Sequence, residues 1–234
     1  LLGLVGSEMC IRDRYYNLNN MKTWLTLGVL YFSFYFWYTD IGGKLSQEEV
    51  QAFIAKHEQN LVNSGVPLGS EEFQRRVDFL RGFMEEDTGK QFIMVNSIEM
   101  NRNPGDVDGA NPGESSDQLM ARYMEHMWPN LLKRACHPIF FGESISKTMD
   151  IVGIEGAEIW DQAALMRYKS RRAFVEIATH PDMQDRHKFK TASLEKTIAY
   201  PVEPFGYYSD LRIIIGMLLL IAGLLIQLFL LSRK

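Results

Sequence analysis

An uninterrupted apolar run near the C-terminus limits what this chain can fold into. Residues 213–231 are apolar except for Gln227, and none of them is ionisable. As a helix, about 19 residues at ~1.5 Å each span ~28 Å, close to the ~30 Å hydrocarbon core of a bilayer. We therefore predict a transmembrane helix over residues 212–231, and the lipid bilayer is the first predicted partner.

The N-terminus combines an unusual leader with a second hydrophobic stretch. Residues 4–14, LVGSEMCIRDR, look like a translated sequencing adapter, so we assign residues 1–20 to an artefact without ordered structure and the native start to Met21. After Lys22, residues 24–38 are aromatic-rich and uncharged, which favours an uncleaved signal anchor over residues 21–39. A cleaved signal peptide and a buried helix are the alternatives.

The charged residues predict on which side of the membrane the domain lies and which partners it binds. Lys22 precedes the first hydrophobic segment, and Arg233 and Lys234 follow the second. Because basic flanks stay in the cytoplasm, both ends should lie inside and the intervening domain outside, on the periplasmic or extracytoplasmic side. The net charge of -4, with no Lys/Arg stripe, argues against nucleic acid as a partner.

A helical hairpin is predicted directly after the first hydrophobic segment, over residues 45–88. Ser46 and Glu49 have the spacing of a capping box, and apolar residues then recur at helical intervals. The Gly- and Pro-containing stretch 64–69 separates the two helices.

Residues 90–203 alternate between strand and helix patterns in the order βαββαβ. The predicted strands are 91–100, 138–144, 160–169 and 197–202, and the helix over 119–135 contains Pro129, which should kink or restart it. This order predicts an α+β, ferredoxin-like domain with helices on one face of its sheet. Since strand 91–100 is apolar on both faces, we expect a homodimer in which a second sheet covers the open face.

Four polar residues on otherwise apolar elements are candidates for a ligand site: Asn96, Arg167, Tyr168 and His187. A buried amide such as Asn96 needs partners, which a neighbouring loop or a ligand supplies. For Arg167 the structural alternative is an ion pair with Asp161 or with a helix carboxylate, and for Tyr168 it is plain packing in the core. No spacing typical of a metal site occurs, so we predict no metal.

Arg171 and Arg172 begin a predicted helix, where the helix dipole disfavours cations. A bound anion and an ordinary exposed pair are the two explanations.

Several stretches of residues 90–202 resemble the dimeric α/β-barrel superfamily, in particular its NIPSNAP-like and uncharacterised branches. The stretches are QFIMVN (91–96), ALMRYKSRRAF (164–174), ATHPDM (178–183) and HKFKTA (187–192). The resemblance implies the fold and a dimer, but the superfamily includes monooxygenases, isomerases, dehalogenases and proteins without a known reaction.

The haem-degrading monooxygenases of this superfamily use an Asn, a Trp and a haem-binding His. The resemblance puts Asn96 and His187 at two of these places, as candidate catalytic residues, but Ile177 replaces the Trp. No cofactor is therefore predicted, with haem as the option that the resemblance leaves open.

Three functions remain open from the sequence. The first is a membrane-tethered dimer that binds a small organic ligand. The second is a cofactor-independent or haem-handling monooxygenase. The third is a non-catalytic, membrane-associated interaction module.

Overall fold

The computed structural model describes the backbone of residues 2–232 and the side chains of residues 19–232, except those of residues 182 and 184. The chain forms two units, one of residues 39–205 and one of the two terminal segments. The elements are α1 (Leu2–Tyr38), α2 (Gln47–Asn63), α3 (Glu71–Glu85), β1 (Phe92–Met100), α4 (Ser116–Lys133), β2 (His137–Glu143), β3 (Gln162–Tyr168), α5 (Arg171–Ala178), α6 (Pro181–Ser193), β4 (Leu194–Val202) and α7 (Leu211–Ser232).

The unit of residues 39–205 contains a four-stranded sheet in the order β2-β3-β1-β4. All three strand pairs are antiparallel, and β1 lies between β3 and β4. This order, with the element order βαββαβ, confirms the predicted ferredoxin-like α+β fold.

Helices α4, α5 and α6 cover one face of the sheet and build the main core. The rings of Phe92 and Tyr168 are stacked with centroids 5.2 Å apart, and Phe174 meets both edge-on. Helix α4 contributes its buried stripe to the same cluster. It continues through Pro129, because Met127 and Leu131 on either side are anchored in the core.

Helices α2 and α3 form the expected hairpin, which packs on α5. Ser46 and Glu49 complete the predicted capping box of α2, and Ser70 caps α3. The hairpin has its own apolar cluster, and Val175 of α5 is fully buried in it. The Asn60 amide also donates to the Thr179 carbonyl oxygen at 3.0 Å, which fixes α2 to the end of α5.

The two arginines at the start of α5 bind carboxylates of this chain. Arg172 donates from Nε and Nη2 to the two oxygens of Glu49, at 2.7 and 3.2 Å, and from Nη1 to Asp40 at 3.1 Å. Arg171 donates to the Phe83 carbonyl oxygen and lies 3.9 Å from Asp87. These carboxylates offset the unfavourable helix dipole, so the arginines are neither an exposed pair nor in need of an external anion.

The terminal unit consists of α1 and α7. Helix α7 is the predicted C-terminal apolar helix, and among the described residues it alone is long and apolar enough to cross a membrane. Helix α1 begins at Leu2 and so includes residues for which we predicted no ordered structure. The adapter origin and the signal anchor stay predictions, and Leu1, Arg233 and Lys234 lie outside the described residues.

The ion pair between Glu49 and Arg172 should make stability depend on pH. Hydrogen bonds from Arg172 and from the Ser46 backbone lower the pKa of Glu49 from 4.5 to about 2. Because the folded pKa is the lower one, the carboxylate stabilises the fold above pH 4.5, and this contribution is lost as the pH falls towards 2. In Glu49→Gln, thermal unfolding of the full chain in detergent micelles, followed by circular dichroism, should depend less on pH across this window. Glu48→Gln, in the same first helical turn, is the matched control, and an equal pH dependence in both variants would contradict the assignment.

Candidate functional site

Asn96 lies in the middle of β1 on the face that α4 and α6 cover. Its Nδ2 donates to two backbone carbonyl oxygens of the sheet, that of Met94 at 3.0 Å and that of Ala164 at 3.2 Å. The opposite amide orientation would place two oxygens against each other, so these bonds define the rotamer. The Oδ1 atom accepts no hydrogen bond from the described part of the chain and is therefore held as a half-buried acceptor.

Arg167 lies on the other face of the sheet, with only 1% of its surface exposed. It pairs in register with Ile93, whereas Asn96 pairs with Ala164, and side chains alternate between the faces along a strand. Its Nε donates to Gln91 Oε1 at 2.9 Å and its Nη1 to the Ala135 carbonyl oxygen at 2.7 Å.

These bonds give Arg167 a structural task. Ala135 has a φ of 53°, a left-handed conformation that costs an L-residue about 1 kcal/mol, and the guanidinium holds its carbonyl oxygen in place. Asp161, the partner considered from the sequence, instead accepts from the Met100 backbone N–H at 2.7 Å and from Arg102.

Tyr168 faces the helices, as Asn96 does, but at the other end of the layer. It pairs in register with Phe92, four positions from Asn96, or ~13 Å along the strand. Burial, followed by the neighbouring Tyr123 and Cys136, raises the pKa of Tyr168. Tyr168 is therefore a neutral core side chain.

His187 lies on the exposed side of α6, where its Nδ1 is 3.3 Å from Thr191 Oγ1. Partial desolvation of the ring, with the charges of Lys190 and Arg76, lowers the pKa of His187. The imidazole is consequently neutral at pH 7, which suits a base or a hydrogen-bonding group. Of the four candidates, only Asn96 and Tyr168 share the layer between the sheet and the helices.

Two residues of this layer were missed from the sequence. Tyr123 of α4 is buried, and Lys190 of α6 holds its Nζ 5.7 Å from the centroid of the Tyr123 ring. Burial raises the pKa of Tyr123 to about 12 and lowers that of Lys190. The helical spacing of Tyr123 on a core stripe was visible in the sequence, but its proximity to Lys190 depends on the packing of α4 on α6.

The side chains that the resemblance associates with haem do not lie together in the described arrangement. Met94, Met120, Met124 and Met166 pack against the core in the layer that contains Asn96. Ile177, at the place of the Trp, is buried in the same core, and the His187 ring is exposed. Among the described residues, no group of three or more His, Cys, Asp or Glu side chains could hold a metal ion.

Comparison with known proteins does not place the chain in a family. No family model matches the chain, and no curated protein sequence matches it significantly. Among solved structures, a protein of unknown function from Rhodopseudomonas palustris is 18% identical, with a TM-score of 0.46, covering 56% of this chain and 94% of that one.

Two further structures are described as dimeric ferredoxin-like proteins of unknown function. The one from Jannaschia sp. CCS1 is 17% identical, with a TM-score of 0.29, covering 49% of this chain and 99% of that one. The one from Bacteroides fragilis is 14% identical, with a TM-score of 0.30, covering 49% of this chain and 96% of that one. The fold assignment of this chain therefore rests on its own strand order.

Arg167→Lys tests the structural task of the buried guanidinium. A lysine ammonium is a single compact charge in place of a planar fork, so it cannot reproduce the geometry of the two bonds to Gln91 Oε1 and the Ala135 carbonyl oxygen. We expect the free energy of unfolding, measured by chemical denaturation of the full chain in micelles, to fall by about 2 kcal/mol. Arg102→Lys, at an exposed ion pair, should change it by less than about 1 kcal/mol. Equal losses in both variants would refute the role.

Proposed function

We propose that this protein is a membrane-tethered, homodimeric ferredoxin-like domain that binds a small organic ligand between its sheet and helices α4 and α6. The observation that carries the ligand site is the Asn96 amide, whose Nδ2 is bound to the Met94 and Ala164 carbonyl oxygens while Oδ1 accepts no hydrogen bond from the described chain. An acceptor that no described protein donor reaches can accept a hydrogen bond from water or from the donor of a ligand.

Tyr123 and Lys190 supply the second half of the proposed site from the helix side. The buried Tyr123 ring offers an apolar surface, and the Lys190 ammonium lies over that ring with no carboxylate bonded to it in the described chain. A few polar groups in an otherwise apolar layer are typical of small-molecule sites, where they fix the orientation of the ligand. The ligand that fits this pattern has an apolar body, a hydrogen-bond donor for Asn96 and an acceptor for Lys190.

The open face of the sheet supports the proposed homodimer. Its exposed side chains are apolar, namely Phe140 of β2 and Ile198, Tyr200 and Val202 of β4. Charged side chains on this face pair within the chain or are buried. Lys196 forms an ion pair with Glu99 at 2.8 Å, and Arg167 is buried. A second copy offers the same apolar face, as an interface about a two-fold axis requires, and a shared membrane raises its effective concentration.

A non-catalytic interaction module is the second candidate function, and the connection between β2 and β3 favours it. Ile145, Met149 and Val152 of this connection are each more than four-fifths exposed. Exposed apolar side chains in one segment are typical of a surface that binds another protein.

Ligand binding at Asn96 can be tested by what copurifies with the protein. The full chain, purified in detergent, should carry a small molecule detectable by native mass spectrometry, and Asn96→Ala should reduce its occupancy about tenfold, because one hydrogen bond to a half-buried group is lost. Ser97→Ala is the matched control, since Ser97 is the next residue on β1 and faces the other side of the sheet. No bound molecule, or equal occupancy in the two variants, would favour the interaction module.

The dimer can be tested separately by placing a charge on the open face. Ile198→Glu should convert the full chain in micelles from dimer to monomer, measured by light scattering after size-exclusion chromatography, because an unpaired carboxylate would be buried in the interface. Leu68→Glu, at an exposed position between α2 and α3, should leave the dimer unchanged. A monomeric wild-type chain would refute the proposed assembly.

A further inference from the structure

We infer that α1 is the membrane partner of α7, so that the terminal unit is an antiparallel two-helix hairpin closed by a glycine seam on α7. This inference rests on the proposed membrane anchoring by α7. It adds that α1, which is less apolar, is held beside α7 by specific packing.

On each of the two helices, the less exposed residues lie along one side and form a stripe. On α1 the less exposed positions include Trp24, Leu27, Tyr31, Phe34, Tyr35 and Tyr38, and on α7 they include Arg212, Gly216, Leu219, Gly223 and Gln227. Spacings of three, four and seven residues are those of a seam between two packed helices. Gln227, the polar residue of the apolar run, thus lies on the seam, where a polar side chain avoids lipid.

Two glycines make the close approach. A Cβ atom on Gly223 would lie 2.6 Å from Trp24 Cη2 and 3.0 Å from Leu27 Cδ1, and one on Gly216 would lie 3.2 Å from Tyr31 Cε2. Trp24 and Tyr31 are seven residues apart, as are Gly216 and Gly223, so each aromatic ring fills the space above one glycine. Small residues serve this purpose between membrane helices, because lipid gives no hydrophobic drive for association.

The end of the hairpin near Tyr38 is fixed by a charged pair. Arg212 donates from Nε to Asp210 Oδ1 at 2.9 Å, and its guanidinium lies 5.9 Å from the centroid of the fully buried Tyr38 ring. The pairs Tyr38 with Arg212, Tyr31 with Gly216 and Trp24 with Gly223 run in opposite directions along the two helices. The helices are therefore antiparallel, and the described side chains of α1, residues 19–38, extend ~30 Å, enough to accompany α7 across a bilayer.

Thiol crosslinking in native membranes tests the hairpin. In the full chain with Cys10→Ser and Cys136→Ser, the pair Tyr31→Cys with Gly216→Cys should be joined within one chain by a short bifunctional thiol reagent. The pair Phe32→Cys with Gly216→Cys should react far more slowly, because Phe32 is more than half exposed and faces away. Equal rates for the two pairs, or products only between chains, would overturn the inference.

A second test places a larger side chain at the glycine seam between α1 and α7. Gly223→Leu should lower the yield of the Tyr31–Gly216 crosslink about tenfold, because the added side chain collides with Trp24. Gly28→Leu is the matched control, since nothing lies within 4 Å of a Cβ atom at Gly28. An unchanged yield in Gly223→Leu would overturn the inference.

A carbonate wash of the same membranes separates this inference from the proposed anchoring. A chain that the wash releases would refute the anchoring itself. A chain that stays in the membrane without forming the crosslink would refute only the helix pairing.

Discussion

The two guanidinium groups at the start of α5 hold together the elements of the unit of residues 39–205. Arg172 binds Glu49 in the first turn of α2 and Asp40 in the segment before it. Arg171 reaches the end of α3 at Phe83 and lies 3.8 Å from Glu203, just after β4. Cations at a helix N-terminus are unfavourable, and the four carboxylates around the two arginines, Asp40, Glu49, Asp87 and Glu203, offset this cost. The hairpin of α2 and α3 is thereby fixed to the sheet by charge as well as by the apolar cluster around Val175.

The sequence predicted those elements whose side chains repeat with a clear period. Strand β1 lies within the predicted apolar strand 91–100, and the capping box at Ser46 marks the predicted start of α2. The strand β4 begins at Leu194, three residues before its predicted start, because α6 ends directly against it at Ser193 without a turn. Helix α4 does not restart at Pro129, so that part of the prediction is wrong, since the core contacts on either side of Pro129 outweigh one missing backbone donor. A kink at Pro129 stays a prediction.

The candidate site was harder to predict. It depends on which face of the sheet each side chain occupies and on contacts between residues far apart in the sequence. Asn96 was recognisable as a polar residue on an apolar strand, but only the register with β3 shows that Arg167 points to the other side. The pairing of Tyr123 with Lys190 joins positions far apart in the chain through the packing of α4 on α6. Periodicity assigns a residue to a face, and it does not give the partner that tertiary packing brings to that face.

The terminal unit has both of its connections to the rest of the chain at the same end, beside Tyr38 and Arg212. With α7 anchored as proposed, the intervening domain is an insertion between two membrane segments rather than a passenger on one of them. A protease that cuts only one connection would leave the domain attached through the other. If both helices lie in the membrane as we propose and infer, shedding this domain would require two cuts, and a single proteolytic event would not release it.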